Sequence, residues 1–155
     1  MLKSIEGNFE DPEVHELLVK HFIELRSVSP VGSAHVLDIA GLKDPSIKFW
    51  SLWEGDHLMG SGALKFLNKD HGEFKSIRVN DKFRNKGNGS KVINHLINKA
   101  KKLNVKKLSL ETGAGNFFLP ARKLFNSCGF KSCSSFSHYK NDINSTYMTM
   151  LIGNK

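Results

Sequence analysis

The chain is short of several things, and each shortage excludes something. Its 155 residues include 2 cysteines, 4 prolines, 2 tryptophans and 2 tyrosines. Cys128 and Cys133 build neither a C-x-x-C redox pair nor a zinc set, so reduced thiols in a cytoplasmic protein are expected, with no metal. No apolar run approaches the ~20 residues that a membrane helix needs. The opening Met1-Leu2-Lys3-Ser4-Ile5-Glu6 lacks the apolar core of a signal peptide. There are no repeats, low-complexity stretches or linkers, so a single domain over residues 1–155 is expected. The most informative shortage is local. From Lys82 to Leu110 there is no Asp or Glu, yet nine Lys or Arg, in a chain of net charge +8. A field of that sign suits a polyanionic small molecule, a nucleic acid backbone, or plain solubility. Phe83 is the only aromatic within it, too few for a base-stacking surface, so no nucleic-acid partner is expected.

What is present in that segment is Arg84-Asn85-Lys86-Gly87-Asn88-Gly89-Ser90. An alternating stretch, Glu73–Val79, precedes it and reads as a strand. A helical stripe of Val92, Ile93, Leu96, Ile97, Ala100 and Leu103 follows, with lysines outside it, predicting a helix over 90–103. A strand, a glycine turn and a helix start make an anion site. First-turn N–H groups have no helical partner and carry the positive end of the macrodipole, and glycines let backbone approach a phosphate. Gly89-Ser90-Lys91 reverses the last pair of a Walker loop, and Val92 stands where a dinucleotide fingerprint needs its third glycine. The pattern that fits is R-x-x-G-x-G.

The remaining elements read in order. Leu2–Phe9 predicts a first strand. Asp11-Pro12-Glu13 opens a helix whose apolar positions run from Val14 to Leu25, with His21 on that face as a packing residue. Residues 34–40 predict a short second helix, ended by Gly41, with His35 and Asp38 as solvated residues. Ile47–Trp53 and Leu58–Leu67 predict a hairpin about Glu54-Gly55-Asp56-His57, and Glu73–Val79 adds a third antiparallel strand. Lys106–Glu111, Phe130–Phe136 and Thr146–Ile152 predict strands, and Phe118–Ser127 a helix closed by Cys128-Gly129. The expected fold class is therefore α/β (α+β), with a mixed sheet whose antiparallel meander leads into a βαβ unit.

This element order, together with R-x-x-G-x-G and with Ala121, Leu124, Phe125, Gly129 and Phe130 in the pattern A-x-x-L-[YF]-x-x-x-G-F, resembles the GNAT superfamily of N-acetyltransferases over nearly the whole chain. The resemblance implies acetyl-CoA as cosubstrate and direct transfer of its acetyl group to a primary amine of a small molecule or peptide. Dimers are common in that family. It implies that Ile77 sits where an amide bonds the acetyl oxygen, and Val79 where the pantetheine arm begins. Arg84, Asn85, Lys86, Gly87, Asn88, Gly89 and Ser90 would hold the pyrophosphate, with Asn116 close to the family's usual asparagine.

Glu73, four residues before Ile77, is the candidate general base; the alternative is an exposed strand glutamate paired with Lys75 or Arg78. The family's usual tyrosine is Phe125 here, which has no proton to give. Tyr139 is therefore the candidate acid, with His138 a second option, unless the thiolate leaves unaided. Phe125 also motivates the other functional class, a non-catalytic acyl-CoA-binding sensor or partner module. The acceptor pocket is expected from residues 31–46 and 134–145, with Trp50, Trp53 and Phe66 as further lining candidates.

Overall fold

The computed structural model describes residues 1–29, 36–84, 86–137 and 139–153. Strand β1 (Lys3–Glu6) is followed by helix α1 (Pro12–Val28), the short helix α2 (Ile39–Leu42), and strands β2 (Ile47–Glu54), β3 (His57–Phe66) and β4 (His71–Val79). Helix α3 (Asn88–Lys102), strand β5 (Lys107–Gly113), helix α4 (Leu119–Ser127) and strands β6 (Lys131–Cys133) and β7 (Ser145–Leu151) complete the chain. Short 3-10 turns at Asp81–Phe83 and Asn116–Phe118 precede α3 and α4.

The seven strands form one sheet in the order β1-β2-β3-β4-β5-β7-β6. Every pairing is antiparallel except β4 with β5, which α3 connects as a crossover. On one face α3 and α4 bury Val92, Ile93, Leu96, Ile97, Ala100 and Phe125 against Trp50, Leu64, Phe74, Leu108 and Leu110. On the other, α1 and α2 pack Val14, Leu17, Leu18 and Leu42 on Phe49, Leu58 and Ala63. Asp11 starts α1 by accepting the amides of Glu13 and Val14, as its position before Pro12 predicts.

Several bounds differ from the sequence reading, for physical reasons. The second helix is Ile39–Leu42, because Asp38 accepts the Gly41 amide and caps it there; residues 34 and 35 lie outside the described residues. Helix α3 starts two residues earlier than expected, since Gly87 adopts φ 78° and serves as its N-cap. The strand expected over 130–136 shortens to Lys131–Cys133, as only those residues pair with β7. Trp50 is buried in the α3 core, and Trp53 and Phe66 pack against the two cores, so packing accounts for all three.

Two features of β4 create a site. Its pairing with β5 runs only from His71–Lys107 to Phe74–Leu110, after which the strands part. Its pairing with β3 shifts register, because Ser61 opposes Arg78 while Ala63 opposes Lys75. Ser76 and Ile77 therefore share one partner, Gly62. This is a β-bulge, and Ser76 takes φ 53° within it.

Candidate active site

Where β4 and β5 part, a cleft of about 520 Å³ opens. Its walls come from the C-terminal part of α1, β4 and β5, the first turn of α3, and α4, with Val36 and Leu37 also lining it. Of the residues proposed from sequence, Glu73, Ile77, Val79, Arg84, Gly87, Gly89 and Ser90 line it.

The loop end is built as the glycines predict. Gly87 has no side chain with which to cap α3, so the first-turn amides are left to an external acceptor. Gly89 has a packing role as well: a Cβ there would lie 2.6 Å from Leu124 Cδ2, so its absence brings α3 close to α4. Arg84 is folded back, its Nε 3.1 Å from Asp81 Oδ1 and 3.3 Å from the Val79 carbonyl. The Asn88 amide turns inward and donates to the Phe83 carbonyl at 2.9 Å, which holds the loop together. Lys86 and Asn116 are exposed and are not among the lining residues. Asn85 and His138 lie outside the described residues.

In the middle of the cleft the backbone of β4 faces a gap. The Asn80 amide donates to the Met59 carbonyl on β3. Amides alternate along a strand, so those of Val79 and Ile77 turn to the opposite edge, where β5 has departed.

At the far end Glu73, which lines the cleft, meets the other catalytic candidate, Tyr139, which does not itself line it. Glu73 is only 1% exposed. Tyr139 Oη donates to Glu73 Oε2 at 2.6 Å, and Lys75 Nζ lies 2.9 Å from that hydroxyl and 3.3 Å from the same carboxylate oxygen. Glu73 is thus paired with Lys75, as one sequence alternative had it, but buried rather than exposed. Its Oε1 is buried with no hydrogen-bond partner among the described residues. Burial, then the charge of Glu73, drives the Tyr139 hydroxyl far above the ordinary range of a phenol. The stretch carrying Tyr139 is pinned by rings: Phe136 packs edge-on against Tyr139 and Tyr147, with centroids 5.3 and 5.8 Å apart. Beside Glu73, His71 Nε2 lies 2.7 Å from Ser109 Oγ, and burial lowers its pKa.

A second polar group that sequence reading missed joins α1 to β4. Arg78, 3% exposed, contacts Glu24 Oε1 at 3.0 Å, Asp81 Oδ1 at 3.4 Å and His21 Nδ1 at 3.4 Å. Burial, then the Arg78 charge, lowers the pKa of His21 to about 4. The expectation that His21 packs is met, but within an ion cluster. Lys75 was named from the sequence as a partner of Glu73, since residues two apart on a strand share a face. Arg78, the other partner named there, turns instead to Glu24, Asp81 and His21. No cluster of metal-ligating side chains occurs among the described residues.

The Acetyltransferase (GNAT) family model matches residues 12–130. The chain belongs to the GNAT acetyltransferase family. It is 44% identical over 137 residues to the "uncharacterized N-acetyltransferase YsnE" of Bacillus subtilis strain 168, covering 88% of this chain and 91% of YsnE. It is 36% identical over 141 residues to the similarly described YedL of Escherichia coli K12, covering 91% and 89%. Among solved structures, a Bacillus subtilis acetyltransferase in complex with CoA superimposes with a TM-score of 0.72 at 19% identity, covering 98% and 99% of the two chains. A GNAT family acetyltransferase from Elizabethkingia anophelis with acetyl-CoA bound gives 0.69 at 19% identity, covering 97% and 98%. The mixed sheet and its helices are thus those of GNAT enzymes. Among the described residues no helix is long and apolar enough to cross a membrane.

Proposed function

We propose that this GNAT enzyme takes acetyl-CoA in the cleft between β4 and β5 and passes the acetyl group directly to a primary amine of a small molecule or peptide. One observation carries this reading. A single cleft has uncapped α3 amides at one end and a buried carboxylate oxygen without a partner at the other, joined by open backbone. The two structural neighbours named with acetyl-CoA or CoA support the choice of cosubstrate.

Each group then has a task set by its chemistry. The first-turn amides of α3, with the Ser90 hydroxyl, receive the pyrophosphate, where the macrodipole and the acid-free lysine field favour negative charge. The Ile77 amide meets the charge that develops on the thioester oxygen, and Val79 guides the pantetheine arm along β4. Glu73 Oε1 takes the proton from the acceptor nitrogen. As the N–C bond forms the C–S bond breaks, and the electron pair leaves on sulfur. A thiol's pKa of ~8.5 makes that thiolate a tolerable leaving group near neutral pH. Tyr139 already donates a hydrogen bond to Glu73, and its raised pKa makes it a poor acid, so its task here is to hold the base. Phe125 has no chemical role in this scheme and is a core residue packed on Phe130. Cytoplasmic action belongs to the same reading; Cys128 and Cys133 are free thiols.

The test is thiol release from acetyl-CoA with a broad panel of primary amines. Turnover with at least one amine is expected. Tight cofactor binding with no release from any amine would instead establish an acyl-CoA-binding module.

A further inference from the structure

Lys75 stands two residues beyond Glu73 on β4, so both side chains leave the same face. The Lys75 side chain is 10% exposed and that of Glu73 1%. Lys75 Nζ reaches the Tyr139 hydroxyl at 2.9 Å and Glu73 Oε2 at 3.3 Å, while that hydroxyl donates to the same Oε2 at 2.6 Å. Two of these contacts end on one carboxylate oxygen, Oε2, and the third joins their donors; the other oxygen, Oε1, is left without a partner among the described residues. Among the described residues no other group about Glu73 forms an ion pair with it. His71, on the same strand, is held below its usual pKa by burial and bonds Ser109. Lys65 opposes Glu73 across β3, and Ser109 opposes it across β5, without a hydrogen bond to it. Glu111 on β5 and Tyr147 on β7 act on Tyr139 and bring no positive charge. Among the described residues Lys75 is the one cation within ion-pair distance of Glu73.

A carboxylate taken out of water favours its neutral form unless a positive charge stands beside it. A neutral carboxyl group accepts no proton from an amine. The phenol of Tyr139 cannot substitute, since it stays protonated and offers a hydrogen bond but no charge.

We infer that Lys75 is a positioning residue of the base: with Tyr139 it occupies Glu73 Oε2, supplies the positive charge a buried carboxylate needs, and leaves Oε1 as the oxygen that receives the acceptor's proton. Lys75 touches neither cosubstrate in this account; it acts through Glu73. The inference rests on the acetyltransferase reading for its consequence, but its electrostatic core is measurable without turnover.

The experiment is a carboxyl ¹³C NMR titration of protein labelled at glutamate, with Glu73→Gln assigning the Glu73 signal. The Lys75→Met variant is compared with wild type and Lys75→Arg, and Lys75→Gln replaces it should it fail to fold. Loss of the charge is expected to move the Glu73 titration to higher pH by at least ~1 unit, and Lys75→Arg to restore it. The thiol-release pH profile, taken with the amine turned over fastest, should show the same displacement of its acid limb. Activity on that limb then falls about tenfold for each unit of displacement. A Glu73 titration that coincides in wild type and Lys75→Met, or an Arg variant that shifts as far as Met, overturns the inference. Absence of turnover with every amine in wild type refutes the acetyltransferase reading instead and leaves the NMR result to decide the role of Lys75.

Discussion

At the scale of single residues, the account turns on which polar atoms are already satisfied. Glu73 has one oxygen bound and one free. Removing its charge while keeping its shape should therefore stop proton removal without touching the cofactor end. Glu73→Gln should lower kcat by ~10²–10⁴-fold and leave the acetyl-CoA Kd from calorimetry unchanged. Tyr139→Phe keeps the ring contacts but loses the hydroxyl, so kcat should fall less, by about tenfold, the share of one hydrogen bond to a charged group. Steady-state kinetics against a fixed amine separates the two.

His21 gives a prediction of a different kind. In the fold it takes a proton only near pH 4, whereas in the unfolded chain it does so near 6.5. Between those values the unfolded chain binds more protons, so stability is full above about pH 6.5 and declines as pH falls toward 4. The loss should be on the order of 1–3 kcal/mol. Urea unfolding at pH 7.5 and pH 5 measures it, and His21→Gln should flatten the difference.

At the scale of elements, the decisive pieces are the bulged strand and the helix behind the glycine turn. The turn was legible in the sequence, because glycines between an alternating strand and a lysine-edged helical stripe leave few structural options. The bulge was not. Nothing in Glu73–Val79 as a string announces that Ser76 takes φ 53°; the signal lies in the partner strand, where Gly60 and Gly62 flank Ser61. A Cβ at Gly60 would sit 2.3 Å from the Arg78 carbonyl oxygen, and one at Gly62 2.4 Å from Leu96 Cδ1. Gly60→Ala should therefore force β3 and β4 apart, costing ~1–3 kcal/mol of stability and weakening acetyl-CoA binding in the same protein. Thermal melting and calorimetry report the two losses. Gly87→Val, at φ 78° with open space around the Cβ, should cost ~1–2 kcal/mol through backbone strain alone. The Asn88 amide illustrates the limit of motif reading: it sits within the loop pattern, yet its side chain is spent on the Phe83 carbonyl.

At the scale of the whole molecule, the sequence carried the architecture because every level agreed. Period-two runs fell on strands, period-3.6 runs on helices, and acid-poor basic sequence on α3, whose N-terminus faces the cleft. It did not carry the convergence of Glu73, Lys75 and Tyr139. That depends on a stretch 66 residues away from Glu73 being folded over the sheet by Phe136 and Tyr147, and no local pattern encodes so distant a contact. The sheet's geometry then links the two ends of the site: the strands part after Phe74 and Leu110 and the bulge lies beside that gap, where the proposed pantetheine arm would run. The most direct measurement is a crystal structure with acetyl-CoA bound. The account predicts the pyrophosphate on the amides from Gly87 to Ser90 and the thioester carbonyl at the Ile77 amide, within reach of Glu73 Oε1. A pyrophosphate seated away from the first turn of α3, or an acetyl group remote from Glu73, would contradict it.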